Sequence, residues 1–552
     1  MPTKARADVT VVGAGLAGLC ATLRLVERGF SVDIYEHRDS YGGSYGGHHV
    51  PAEGTFHEHS YHMLPAWYDN FYQLASDINL AHGNEPIVQF SDRDTFVYIS
   101  RDGTRTYLRN VGDVASFVEN LLQSPVPPLH SFLSLYTLLA LLAPDPLASQ
   151  NRERISVNGF IYSRWWTTPE VSQLQNEVLA KAFASAVNRS SAETYRNFVA
   201  YGFRKPTPMT RVLKGDSHNY FIKPLIEAIN SFNDRRGRPL ARFFPNRTVT
   251  RLHLGNGRVD CIDVVETQKE LDGQFQLEID WASVEDWPGK RSVGVNELVM
   301  AISPESWVHL LDNEIIETEP QLARLGRLRW LSMMSLDLYL KDKLESMPKD
   351  FVILEGSEFE LTFIDNSQAW PDVPHTLLNV VLSSANGTDL VDEFEGVPGE
   401  RVIQRVLEEL NHYLKPAYGI EIGNDDVDWE RTWLNRNQLS PLFLNEVGTW
   451  QFRPDTMGRL PNLFLAGAFC RTQADVLTLE GAVISGLLAA EALRQKHDRG
   501  APVLIHDLER YQPDTAGVLA AAWMPAAAMA KAWTAWSDPW KQLVERLYGD
   551  PK

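Results

Sequence analysis

Apolar positions change period twice within the first 36 residues. Val9 to Val12 is a short β-branched run, Leu16 to Arg28 carries apolar residues at helical spacing up to Gly29, and Ser31 to Tyr35 returns to a strand pattern. The pattern predicts strand, loop, helix and strand, compact enough for one βαβ unit. Further on, Lys214 to Ile229 is an amphipathic run, Arg247–Leu254 and Gly257–Val265 read as strand, turn and strand, and Glu297–Ile302 as another strand. Near the other end, Leu463–Ala466 predicts a strand and a small-residue helix begins near Glu480.

Two apolar stretches fit no such unit. Phe132 to Ala143 is bounded by Pro128 and Pro144, and Val518 to Leu547 holds Trp523, Trp533, Trp536 and Trp540 among alanines. Each admits two readings: contact with a bilayer interface or the wall of a lipid-sized tunnel, or a core helix and an aromatic tail packed on the protein or on a second subunit. No uninterrupted apolar run reaches the length of a spanning helix.

At 552 residues the chain is long enough for several structural units and a large cofactor. The net charge of −19 argues against nucleic acid or anionic lipid as a main partner, since both select an excess of Lys and Arg. Cys20, Cys261 and Cys470 are far apart and form no CxxC pair, so neither a disulfide framework nor a metal site is expected. With no signal-peptide core at the N-terminus, a cytoplasmic location follows as the expectation, with peripheral membrane contact left open.

The loop between the first strand and the helix reads G-A-G-L-A-G from Gly13 to Gly18, and the second strand ends at Glu36, 18 residues beyond Gly18. In this arrangement Gly13 permits a tight turn, Gly15 lets the backbone approach a pyrophosphate, and Gly18 lets the helix pack closely on the strand. The helix N-terminus faces phosphate with unpaired amides, and Glu36 accepts from ribose hydroxyls, which disfavours a 2′-phosphate.

After Glu36 come His37, Arg38 and the pair Gly42, Gly43, followed by Ser44. This extension resembles the E-x-R-x-x-x-G-G signature of the superfamily that joins flavin amine oxidases and carotenoid (phytoene) desaturases. The stretch Asn462–Leu493, with Gly467, Ala468, Glu480, Gly481 and Ala482, is similar to the last flavin motif of that superfamily. Ala468 departs from it, standing where members commonly carry an acidic residue toward the ribityl chain. The resemblance implies FAD as cofactor, a residue matching Val249 over the adenine end, and the amides of Gly481 and Ala482 near the flavin's pyrimidine end. Residues Glu58 to Asn70, E-H-S-Y-H-M-L-P-A-W-Y-D-N, look like a segment of phytoene-type desaturases and squalene-associated oxidoreductases that lies beside the isoalloxazine.

The candidate cofactor-binding set is therefore Gly13, Ala14, Gly15, Ala17, Gly18, Glu36, His37, Arg38, Gly42, Gly43, Ser44, Tyr61, His62, Val249, Gly467, Ala468, Glu480, Gly481 and Ala482. His59 and His62 are the catalytic candidates, able to position a substrate or to move a proton, because imidazole titrates near neutrality.

The resulting expectation is an α/β protein. A discontinuous Rossmann-type FAD-binding domain is drawn from 1–75, 205–305 and 455–495, an inserted α+β substrate domain from 76–204 and 306–454, and a helical tail from 496–552. The segment Asp272 to Ser292 reads as a charged hairpin or loop. The function expected is hydride transfer to flavin from an apolar, isoprenoid or lipid-like molecule, as in a desaturase or dehydrogenase. Oxidation of an amine or amino acid with O2 ranks second, because Leu328–Leu340, similar to the strand that carries a flavin-facing lysine in amine oxidases, has no lysine before Lys341. A redox-neutral flavin enzyme and a non-catalytic flavoprotein remain as further alternatives.

Overall fold

The computed structural model describes residues 6–552 apart from 51–54, 84, 110–118, 121, 123, 125, 144–151, 176–186, 206, 269–270, 273–275, 278–280, 282, 332, 371–372, 384–393, 395–396, 437–441, 509–513 and 549–552. Pro144 and residues 273–275, 278–280 and 282 of the 272–292 segment fall outside the described residues; at its start Leu271–Asp272 pairs antiparallel with Gln276–Leu277.

Val9–Val12 and Val32–Tyr35 are strands joined by the helix Leu16–Glu27, as the change of period predicts. They lie at the centre of a five-stranded parallel sheet in the order Ala241–Phe244, Val32–Tyr35, Val9–Val12, Glu297–Met300, Leu463–Leu465. All four residues of both central strands are buried, which explains runs of apolar residues without alternation. The sheet thus gathers segments more than 400 residues apart and aligns their C-terminal ends, where ligands bind in open α/β sheets. The chain is an α/β protein built on a Rossmann-like parallel sheet.

On one face, Leu16–Glu27 packs against Leu479–His497. The contact is close because Gly486 faces Ala17; a Cβ on Gly486 would meet the Ala17 carbonyl oxygen at 2.3 Å. The strands Arg247–Gly255 and Arg258–Glu266 form an antiparallel sheet to which Arg291–Gly294 adds an edge. The 214–229 run is a π turn, His218–Ile222, that continues into the helix Lys223–Asn230.

A second, seven-stranded sheet runs in the order Trp433–Asn435, Met334–Tyr339, Leu377–Leu382, Thr362–Asp365, Phe351–Leu354, Thr95–Ile99, Arg105–Arg109. Alternation gives it two unlike faces. Leu336, Leu338, Phe363, Leu378, Val380 and Leu382 pack under the helix Gly399–Tyr418. Ser335, Asp337, Thr362 and Asn379 are on the other face, which turns toward the segment 57–61.

The apolar run near 132–143 is the helix Pro128–Leu142, and the tail is the long helix Asp514–Tyr548. They pack together: Trp523 stacks on Phe132, the Tyr136 hydroxyl donates to the Ala520 carbonyl at 3.1 Å, and Ala516, Ala527 and Ala530 are buried in the contact. The core reading therefore holds for Phe132–Leu142 and for one face of the tail. Trp533, Trp536 and Trp540 on the tail stay 57, 61 and 57% exposed. No helix among the described residues is long and apolar enough to cross a membrane.

Candidate functional site

One cavity of about 410 Å³ runs from the glycine loops to the second sheet. Gly13, Gly15, Ala17, Glu36, His37, Arg38, Gly42, Gly43 and Ser44 line one end, and Gly467, Ala468 and Ala482 approach from the C-terminal half. The loops are interlocked by main chain: the Gly13 N–H donates to the Tyr35 carbonyl and the Gly42 N–H to the Ala14 carbonyl, each at 2.8 Å. Gly13 (φ +96°) and Gly42 (φ +107°) hold backbone conformations that side chains resist. A Cβ on Gly43 would sit 3.0 Å from the Gly15 Cα, so this part of the wall is bare backbone.

Glu36 is fixed from three sides. The Ala14 N–H donates to its Oε2 at 2.7 Å, the Arg38 N–H to its Oε1 at 2.9 Å, and His37 Nδ1 lies 2.9 Å from Oε1. Burial opposes its charge, but His37 and the two amides outweigh burial and hold the carboxyl at about 2. It is an ionised acceptor at the sheet edge. With backbone exposed at the glycines and the Arg38 guanidinium on the same wall, the donor set fits a dinucleotide.

Five residues expected at the cofactor are off the cavity wall, each for a visible reason. Ala14 orients Glu36 through its amide. Gly18 faces inward, where a Cβ would stand 2.1 Å from the Gly13 carbonyl oxygen. Val249 is buried in an apolar core with Leu252 and Val264 and does not line the cavity. Gly481 donates its N–H to Thr478 Oγ1 at 3.1 Å in the helix cap. Glu480 is fully buried and caps a different helix, Asp69–His82: its carboxylate accepts from the Asn70 N–H at 2.9 Å, Asn70 Nδ2 at 2.8 Å and the Phe71 N–H at 2.8 Å. Burial pushes its carboxyl up to about 7 against these donors.

His59, Tyr61 and His62 line the middle of the cavity, beside Tyr45 and Tyr68. The polar face of the second sheet holds this segment in place. Asp337 Oδ2 accepts from the Glu58 N–H at 3.2 Å and lies 3.2 Å from His57 Nδ1, and its Oδ1 takes Asn379 Nδ2. Asn379 Oδ1 accepts from the Tyr61 N–H at 2.9 Å, the Tyr61 hydroxyl donates to Thr362, and the Ser335 hydroxyl donates to the His59 carbonyl. Burial, and next the adjacent His59, depress His62 to about 3, so its ring is neutral at ordinary pH and is a poor proton acceptor. Tyr45 meets the His62 ring edge-on at 5.0 Å, and its buried hydroxyl makes no hydrogen bond among the described residues.

The far end of the cavity is apolar: Met63, Trp330, Met333, Val381 and Phe443, with Ser383 beside them and no charged side chain. Met63 and Tyr68 come from the segment 58–70 and Trp330 and Met333 from the stretch 328–340, both singled out in the sequence, whereas Tyr45, Val381, Ser383 and Phe443 were not anticipated. Trp330 and Phe443 are brought together by a two-residue strand pair, which leaves almost no periodic signal. No lysine lines the cavity among the described residues; Lys341 instead donates to the Asp425 carbonyl at 2.7 Å in an exposed contact.

Behind the wall, Glu58 is buried with its Oε1 accepting from the Ser217 N–H at 2.8 Å. Burial, with Asp337 and Asp216 adding like charge, pushes its carboxyl from the ordinary 4.5 to about 8. The folded state therefore keeps a proton that the unfolded chain has released, and the stability this contributes is full below pH 4.5 and is lost as pH rises to about 8. Denaturant unfolding across this window is expected to show Glu58→Gln losing less stability with rising pH than the wild type; equal slopes would count against a buried, protonated Glu58.

Residues 11–78 match the family of NAD(P)-binding Rossmann-like domains, and residues 346–494 match flavin containing amine oxidoreductases. The chain is 24% identical over 514 residues to the zeta-carotene desaturase of Arabidopsis thaliana, covering 87% of this chain and 84% of that protein. It is 22% identical over 528 residues to the zeta-carotene desaturase of Synechocystis sp., covering 88% and 96%. In fold it is similar to cyclohexylamine oxidase from Brevibacterium oxydans, with a TM-score of 0.61 and 14% identity over 90% of this chain and 100% of that one.

Proposed function

From the premise that the chain is an FAD-dependent oxidoreductase of the flavin amine oxidase and carotenoid desaturase superfamily, we propose that it removes hydride from an apolar, isoprenoid or lipid-like molecule. The observation that carries this reading is the charge-free wall of Met63, Trp330, Met333, Val381 and Phe443, continuous with the dinucleotide end of the same cavity. A cationic amine would find no carboxylate there, and its desolvation would go uncompensated.

When bound, FAD supplies a two-electron acceptor for hydride. The chain's own residues bind and orient. Glu36 accepts from ribose hydroxyls, and Arg38 with the amides at Gly15 and Gly43 would hold the pyrophosphate. Gly467, Ala468 and Ala482 attend the flavin end. His59 and His62 are proposed to place the substrate; neutral His62 suits a hydrogen bond more than proton abstraction. With positioning as the main contribution, no triad is required.

A cytoplasmic enzyme that meets its substrate at a membrane surface fits the exposed Trp533, Trp536 and Trp540, whose rings suit an interface better than water.

The test is anaerobic mixing of the FAD-loaded protein with squalene or farnesol, and separately with benzylamine, while the flavin's visible absorption is followed. Bleaching by an isoprenoid and not by the amine is the expected result. Bleaching by benzylamine alone, with peroxide formed when air is readmitted, would establish the amine oxidase reading instead.

A further inference from the structure

We propose that the tail helix Asp514–Tyr548 lies flat on a bilayer surface without net charge, with its outer crest of Val518, Met529, Trp533, Trp536 and Trp540 set below the headgroups. The inference rests on the membrane-surface reading above and names the surface.

The helix is amphipathic in side-chain size and not in polarity. Its inner seam is small: Ala516, Ala527, Ala530 and Thr534 are buried, and Trp523 is the one large residue, stacked on Phe132. At 3.6 residues per turn the five crest residues share about 60° of arc on the side away from that seam. Val518 is 68% and Met529 69% exposed, and the three tryptophans are 57, 61 and 57% exposed. Every exposed residue from Val518 to Trp536 is Ala, Val, Leu, Met, Pro or Trp. Lys531, the charged residue in that span, leaves the crest: its Nζ donates to the Thr167 carbonyl at 2.6 Å.

That contact seats the tail beside the segment 162–167, where Tyr162 and Trp165 are themselves 58 and 53% exposed. The three tail tryptophans alone expose on the order of 350 Å², within the range of about 300–600 Å² for the largest patch on a typical monomer. A protein partner on such an area would find about one hydrogen bond per 100–200 Å² and a polar rim. This crest offers indole N–H groups and nothing else polar, which suits rings seated at headgroup level above acyl chains. No helix among the described residues is long and apolar enough to cross a bilayer, so the tail lies in its plane. The lipid's charge follows from the protein's: with a net charge of −19 and no cation on the described crest, anionic headgroups repel the chain and do not recruit it.

The experiment sediments the FAD-loaded full chain with phosphatidylcholine vesicles, and with vesicles in which part of the lipid is phosphatidylglycerol. Both are run at about 0.1 and about 1 M salt, between which the Debye length falls from about 10 to about 3 Å. Binding to phosphatidylcholine is expected at both salts, with weaker binding as phosphatidylglycerol is added and salt relieving that loss. Trp533→Ser with Trp536→Ser should weaken binding at least about tenfold, and Phe at both positions should keep part of it. Leu80→Ser removes a side chain 76% exposed on the helix Asp69–His82 and should leave binding unchanged. Binding that requires phosphatidylglycerol, that survives the paired Ser substitution, or that falls as much in Leu80→Ser would overturn the inference and leave a membrane-surface enzyme standing. Binding to neither kind of vesicle would overturn both. So would a lipid-free dimer, seen by light scattering, that the Ser pair converts to monomer, since the crest would then belong to a second copy of the chain.

Discussion

Arg453→Met is expected to cost about 3–5 kcal/mol of stability, the range for removing one partner of a buried ion pair. Arg453 is almost wholly buried and spends its fork on one loop. Nε donates to the Phe469 carbonyl at 3.0 Å, Nη2 to the carbonyls of Ala468 at 2.9 Å and Cys470 at 2.7 Å, and Nη1 to Asp475 Oδ1 at 3.1 Å. Trp450 and Phe443 flank the guanidinium, 5.1 and 5.5 Å from it to the ring centroids. The substitution removes the cationic partner of the Asp475 carboxylate, which keeps the neutral Asn197 Nδ2 at 3.0 Å, and takes the Arg453 donors from the carbonyls of Ala468, Phe469, Cys470 and Asp475. Gly467, Ala468 and Phe469 line the cavity, so FAD retention should fall together with stability. Arg453→Lys keeps charge but cannot span these carbonyls, and should recover only part of the loss. Adding Asp475→Asn to Arg453→Met removes the stranded charge and should recover stability but not FAD retention. Denaturant unfolding and flavin content after gel filtration measure the two separately; a double variant no more stable than Arg453→Met would show that the charge pair is not the source.

Gly18→Val is expected to be the most damaging single change at the nucleotide end. Its Cβ would stand 2.1 Å from the Gly13 carbonyl oxygen and 3.2 Å from the Ala301 Cβ. Gly13 is held in place by its N–H on the Tyr35 carbonyl at 2.8 Å and by the turn that sets its φ of +96°. The helix Leu16–Glu27 must therefore shift off the sheet. Overpacking of this kind costs about 1–3 kcal/mol or more. The same shift moves the helix N-terminus away from its phosphate position, so FAD affinity should drop by about tenfold to a hundredfold. Equilibrium dialysis of FAD against the variant gives the affinity, and a value within twofold of the wild type would exclude Gly18 as the packing contact that sets the loop.

These two residues differ in how far a reader of the sequence could have found them. Gly18 is legible: its role follows from a spacing of five from Gly13 inside one βαβ unit, and every partner except Ala301 is close by in the chain. Arg453 carries no such mark. It is one arginine among many until the loop 468–475 folds over it. The C-terminal strand and helix were legible for the same local reason as the glycine loop, and the apolar run 132–142 was legible as a helix but not as the partner of the tail.

Glu480 makes the distinction sharper. Its motif places it correctly at the start of a helix, but its carboxylate serves Asn70 and Phe71, some 410 residues earlier. Val249 likewise sits in a correctly anticipated strand and turns its side chain into a core.

Local units and the chemistry they can attract are written in the chain itself: a strand, glycine loop and helix for a dinucleotide, an acid at the sheet edge, and a chain without the positive charge that polyanions require. Local periodicity and turn chemistry act over a few residues, so a short window contains them. Which faces meet is settled only once the layers pack. The clamp of Ser335, Asp337 and Asn379 on the 57–61 segment and the grip of Arg453 on its loop both depend on how distant segments meet. Such pairings are chosen by the summed burial and hydrogen bonding of whole layers, and no single stretch of chain carries that sum.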